Sequence, residues 1–214
     1  MSPPIPLFVA AVGASTRVLV SSSVLAYMLL SRSPEAVAMV TLAIGTAVFG
    51  KVLKKLLAAP RPANSPIQDS DDHGMPSSHA VSLAFLASTA VFLLPARVSR
   101  AQAAPALLGY VLTSLYYRKV RGLHSYAQLA AGCAVGGGSS LLLYRLTGVA
   151  AALEAGVAGW FARAGWGDSV PPAGVLGLAL LGGCVVGWRE LCQLKRFRGK
   201  GEGGGEGRRK GKEE

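Results

Sequence analysis

The sequence predicts an all-α fold: an integral-membrane helical bundle with five or six transmembrane helices. Three observations carry this. Hydrophobic residues make up 51% of the 214 residues and charged residues only 15%, against about 25% charged in an ordinary soluble domain. The mean hydropathy is +0.41. The apolar residues fall in runs close to the roughly 20 residues that a helix needs to cross hydrocarbon, and the charges gather between the runs.

Taken in order, the first run, 7–30, contains Arg17, which weakens it as a span. Residues 1–34 hold no acidic residue and several serines, a composition shared with transit peptides. The segment 1–35 therefore reads either as a first span or as a transit remnant. Runs at 36–56, 79–95, 102–117 and 125–145 follow, and 36–146 reads as one core. Within it, "AAGCAVGGGSS" at 130–140 offers small residues that let helix backbones approach closely in a bilayer. The region 147–188 pairs a short or interfacial helix at 149–163, which carries Glu154 and Arg163, with a last span at 171–188. The tail 189–214 has nine Lys/Arg against five Asp/Glu and is rich in Gly. It cannot bury apolar surface and reads as disordered. Its basic charge suits anionic lipid headgroups, and no nucleic-acid-binding fold accompanies it, so membrane lipids and not nucleic acid are the partner expected. The cysteines, Cys133, Cys184 and Cys192, are odd in number and lack CxxC spacing, which makes them small apolar packing residues.

The polar residues are informative through their placement. The segment 54–78 joins the second and third spans, and 118–124 joins the fourth and fifth. An even number of crossings separates these loops, so both face one surface. That surface gathers Lys54, Arg61, His79, Arg118 and His124. Each has a plain reading by itself: Lys54 as a snorkelling helix end, Arg118 as part of a positive loop, Ser77 and Ser78 as helix caps. Together they have a chemistry. Phosphoryl transfer spreads negative charge over three equatorial oxygens and is catalysed by positioning and electrostatics. Three cations, two of them forked donors, and the N–H groups of a helix start suit that charge. Two imidazoles can divide nucleophilic attack and leaving-group protonation. His73 with Asp69, Asp71 and Asp72 lies in a single loop with no second ligand cluster, which reads as a solvated loop and not a metal site.

The spacing also carries a resemblance. Lys54, six residues, then Arg61-Pro62 fits Lys-x6-Arg-Pro. Pro76-Ser77-Ser78-His79 fits Pro-Ser-Gly-His, with Ser78 in the Gly place. Arg118, five residues, His124, three residues and Gln128 fits Arg-x5-His-x3-Asp, with Gln128 in the Asp place. Over about residues 36–146 the chain resembles the type 2 phosphatidic acid phosphatase and haloperoxidase superfamily. "GMPSSHA" and "LHSYAQ" are most similar to plastid lipid phosphate phosphatases of the epsilon group and to dolichyl diphosphatases.

The resemblance implies His124 as a nucleophile that forms a phosphohistidine and His79 as the general acid. Lys54, Arg61, Arg118, Ser77 and Ser78 would hold the phosphate, and Gln128 would orient His124. It implies no metal and no cofactor. The substrate implied is a lipid phosphate, phosphatidate first, with a dolichyl or polyprenyl diphosphate as the alternative. The membrane implied is the plastid envelope, with the endoplasmic reticulum as the alternative. A non-catalytic anionic-lipid-binding protein is a reading of another class, against which stands the presence of every charged and imidazole position. A vanadium haloperoxidase is excluded by apolarity, since those enzymes are soluble. On this reading Asp at position 128 would serve as well as Gln or better. Tyr117 stands where many relatives have Ser, and the sequence offers no physical account of it.

Overall fold

The computed structural model describes residues 5–63, 65, 73–95, 97–167, 169–171, 173–174 and 177. Among them the secondary structure is helical, with no strand. The helices are α1 (Leu7–Ser31), α2 (Pro34–Leu57), α3 (Ser78–Leu93), α4 (Arg100–Val120), α5 (Tyr126–Leu141) and α6 (Val149–Arg163). A π-helical turn, Leu142–Leu146, extends α5. The expected spans between 7 and 145 correspond to α1 through α5, and the short helix expected at 149–163 is α6. The tail 189–214, Cys184, Cys192, Asp69, Asp71 and Asp72 lie outside the described residues, as does nearly all of the span expected at 171–188. A second compact unit begins at Val170, and of it residues 170–171, 173–174 and 177 are described.

Local chemistry sets the helix ends. Ser33 caps α2, its hydroxyl accepting the Ala36 N–H at 3.2 Å, and Pro34 takes the first helical position. The helix stops where Ala58 turns left-handed and its N–H closes on the Lys54 carbonyl. Lys54 and Lys55 therefore lie in the last turn, beside the carbonyl end of the helix.

Among the described residues, three helices are long and apolar enough to cross a membrane: α1, α2, and α5 with its π-helical turn. The 16-residue α3 is shorter but equally apolar in character. Ile44, Val48, Phe49, Val52 and Leu56 on α2 are all exposed. Such a surface is costly in water and natural against lipid. The protein is an integral-membrane helical bundle.

Inside, Ala80 and Leu83 of α3, Val111 and Leu115 of α4, and Leu129 of α5 form a buried cluster, with Cys133 packed against it. Among the described helices, α3 and α5 share the most extensive contact. Gly132 and Gly136 lie against the α3 backbone, where a Cβ at position 136 would collide with the Val81 carbonyl. The buried hydroxyls of Thr89 and Ser140 meet across the same interface at 2.8 Å. The small-residue run thus sets His79 and Gln128, on facing helices, within one narrow region.

Candidate active site

The two informative loops meet at one end of the bundle. After α2, the Gly74 N–H bonds the Ala59 carbonyl at 2.6 Å, folding the far end of the loop back on its start. Arg61 Nη1 donates to the Leu123 carbonyl at 3.1 Å. Gln128 Nε2 donates to the Pro60 carbonyl at 2.8 Å. The Ser77 N–H donates to the Gln128 carbonyl at 3.1 Å. Three hydrogen bonds between loops therefore join the three sequence motifs.

Gln128 organises the third motif. Ser125 and Gln128 form a reciprocal capping box: the Ser125 hydroxyl accepts the Gln128 N–H at 3.2 Å, and Gln128 Oε1 accepts the Ser125 N–H at 3.0 Å. A backbone N–H only donates and the Pro60 carbonyl only accepts, so the amide has one orientation. Its oxygen then faces His124 Nδ1, 3.3 Å away, as a pure acceptor. Nδ1 must carry the imidazole proton, which leaves the lone pair on Nε2. Gly74 makes room for this arrangement, because a Cβ there would strike both the Gln128 amide and the Pro60 carbonyl.

His124 is buried. Burial is the main cause that pushes its pKa from 6.5 down to about 4, and Arg61, Arg118 and Lys54 push the same way, while the Gln128 hydrogen bond pushes up. The imidazole is therefore neutral from about pH 5 upward, two states that differ by one proton exchanging around the shifted value. A ¹⁵N-histidine titration in detergent micelles, with His73 and His79 replaced, should give a midpoint near 4 for His124. A midpoint near 6.5 would show a ring open to water and far from the three cations.

The other expected residues are placed as follows. Ser77 is the N-cap of α3 but makes no side-chain cap bond. Its hydroxyl is fully buried and has no hydrogen-bond partner among the described residues. Ser78 opens α3, half-buried. His79, in the first turn, has Nε2 3.2 Å from Ser114 Oγ. Arg118 lies in the last turn of α4, with its Nε buried and without a partner. Lys54, Arg61 and Arg118 all lie within electrostatic reach of His124.

Sequence spacing alone does not reveal four participants: Ser125, the Pro60 carbonyl, Ser114 and Arg17. Ser125 carries a legible signal, the Ser-x-x-Gln pattern of a capping box. Arg17 reads as a flaw in the first span, whereas a charge within a span is itself a signal of function. The structure sets it within electrostatic reach of His79 and Arg118. Ser114 precedes Arg118 by one helical turn. Tyr117 also gains an account, since its ring packs on Gly13 of α1.

The family model of the PAP2 superfamily matches residues 35–151, more than half of the chain. The chain belongs to the PAP2 superfamily. Membership makes this PAP2 protein a phosphatase of the class that acts on lipid phosphates. Neither the curated proteins nor the solved structures hold a match to it. The matched segment contains all three motifs and α2 through α5, and α1 lies outside it.

Proposed function

We infer that this PAP2 protein hydrolyses phosphatidate to diacylglycerol and phosphate through a phosphohistidine on His124. The observation that carries the reading is a pair of orphaned donors. Among the described residues, Ser77 Oγ and Arg118 Nε are buried without partners, and Arg118 lies within electrostatic reach of the His124 imidazole. A buried donor left unmade costs about 1–3 kcal/mol, a cost that a bound phosphate oxygen would remove. The failure of Ser77 to cap its own helix supports an anion at that N-terminus in place of the cap.

In the reaction, the His124 Nε2 lone pair attacks phosphorus and the bond to the glyceryl oxygen breaks. The leaving oxygen takes a proton from His79. Water then attacks the phosphohistidine, returns its proton to His79, and the N–P bond breaks. Lys54, Arg61, Arg118 and the α3 N-terminus, with Ser77 and Ser78, hold the equatorial oxygens. Gln128 keeps the proton on Nδ1. No step calls on a metal or a cofactor. The plastid envelope is the membrane proposed, on the motif resemblance, with the endoplasmic reticulum as the alternative.

One observation favours the second reading, a dolichyl or polyprenyl diphosphate. Arg17 brings a fourth cation from α1 toward His79 and Arg118, which suits the additional charge of a diphosphate. The test is phosphate release by purified protein in excess chelator, with phosphatidate, lysophosphatidate and dolichyl diphosphate compared. Phosphatidate should have the highest kcat/KM. A preference for dolichyl diphosphate selects the second reading, and inactivity on all three in chelator overturns the metal-free mechanism.

A further inference from the structure

The Nε2 atom of His79 does not face an open site. It lies 3.2 Å from Ser114 Oγ on α4, and Ser114 Oγ lies 2.9 Å from Thr16 Oγ1 on α1. Thr16 Oγ1 is also 2.6 Å from the Val12 carbonyl of its own helix. Thr16 and Ser114 are both fully buried. These two hydroxyls sit deep among apolar helices, and neither belongs to the three motifs.

The Thr16 hydroxyl has one proton and two acceptors in reach. If the proton goes to Val12, the Ser114 hydroxyl turns its own proton to the Thr16 oxygen, and the Ser114 lone pairs face His79. If it goes to Ser114, one Ser114 lone pair is used and the second remains for His79. When His79 is protonated, as a general acid must be, both ring nitrogens only donate, and in both arrangements Ser114 has a lone pair to accept the His79 Nε2–H. A ring held in this way has only Nδ1 left to exchange a proton with a substrate.

We propose that Ser114 and Thr16 are positioning residues for His79, holding Nε2–H so that Nδ1 delivers the proton to the leaving oxygen. The proposal rests on the reading of His79 as general acid. In the first step His79 starts as the imidazolium, with the bound phosphate as its counter-charge; the Nδ1–H bond breaks, the proton joins the leaving glyceryl oxygen, and the ring is left neutral with Nε2–H on Ser114. In the second step a water proton returns to Nδ1 as its hydroxide oxygen bonds phosphorus. Nε2 keeps its proton throughout, so one fixed acceptor serves both steps. The inference also makes α1, which lies outside the family-matched segment, part of the working site. The packing of Tyr117 on Gly13, one turn from the Thr16 contact, holds α1 in the register this requires.

The test is a double-mutant cycle read with two substrates: phosphatidate, whose leaving oxygen needs a proton, and nitrophenyl phosphate, whose leaving oxygen does not. Ser114→Ala should lower kcat on phosphatidate about tenfold with KM little changed, the effect of one positioning hydrogen bond. The loss on nitrophenyl phosphate should be smaller. Thr16→Val, which keeps the volume and removes the hydroxyl, should lower kcat about threefold, and Thr16→Ser should keep it. In a His79→Ala background, Ser114→Ala should cost less than about twofold more, because residues that act as a unit are non-additive. If the His79 and Ser114 losses multiply, or if Ser114→Ala hurts both substrates equally while His79→Ala discriminates between them, the positioning role is wrong and the general acid stands. If His79→Ala itself treats the two substrates alike, the general-acid reading fails and the positioning role falls with it.

Discussion

His124→Ala should abolish turnover, by at least about 10⁴-fold, because it removes the only group proposed to form the covalent intermediate. The substitution is a clean one by its surroundings. Gln128 keeps its bonds to Pro60 and to the Ser125 N–H when the imidazole is gone. Arg61 keeps the Leu123 carbonyl. The two loops therefore remain joined, and the cations proposed to hold phosphate remain in place. The expected result is a protein of normal helical content and normal behaviour in detergent that binds a lipid phosphate and does not turn it over. Phosphate release and trapping of an acid-labile phosphoenzyme read the two halves separately. Wild type should label from radioactive substrate in a quench, and the Ala variant should not. Activity within tenfold of wild type, or a label that survives the substitution, would overturn the nucleophile assignment.

Much of the architecture is legible in the sequence because a bilayer imposes a length. Apolar runs near 20 residues predict helices whatever packs beside them, and α1 through α5 follow the runs closely. Counting crossings also predicts that Lys54, Arg61, His79, Arg118 and His124 share a surface. The hydrogen bonds that join Pro60, Ser77, Leu123 and Gln128 are the physical form of that parity. What escapes the sequence is of another kind. The Pro60 carbonyl is a backbone atom and has no side-chain signature. Thr16 and Ser114 are small hydroxyls inside apolar runs, where nothing in composition separates a catalytic neighbour from ordinary packing. The site they complete depends on how α1 lies on α4, a register that hydropathy does not encode.

Gln128 is where the structure changes an expectation most. As the counterpart of an acid, it has only to accept the His124 Nδ1–H, and Asp should then do as well or better. The Pro60 contact alters that. Gln128 accepts from His124 and Ser125 through Oε1 and donates to Pro60 through Nε2, and an acid can supply only the accepting half. Asp is also one methylene shorter and cannot span both loops. Gln128→Asp should therefore lower kcat about tenfold, with the Pro60 carbonyl left beside a carboxylate in place of a donor. The carboxylate would favour imidazolium, so the His124 midpoint should move above about 4 and activity should fall off at a higher pH than in wild type. Gln128→Leu keeps the bulk and removes every polar contact of the side chain. It frees the imidazole to take the other tautomer, which puts the proton on Nε2 where the lone pair is needed. The wrong tautomer costs about 10⁴ in the serine-protease triad, and a loss on the order of a thousandfold is expected here. Steady-state kinetics beside the ¹⁵N titration separate the two causes. Asp should shift the titration with a modest loss of rate, whereas Leu should lose rate without an upward shift. An Asp variant as active as wild type would show that the Pro60 bond contributes nothing to the reaction. A Leu variant as active as wild type would show that Gln128 does not hold the His124 tautomer at all.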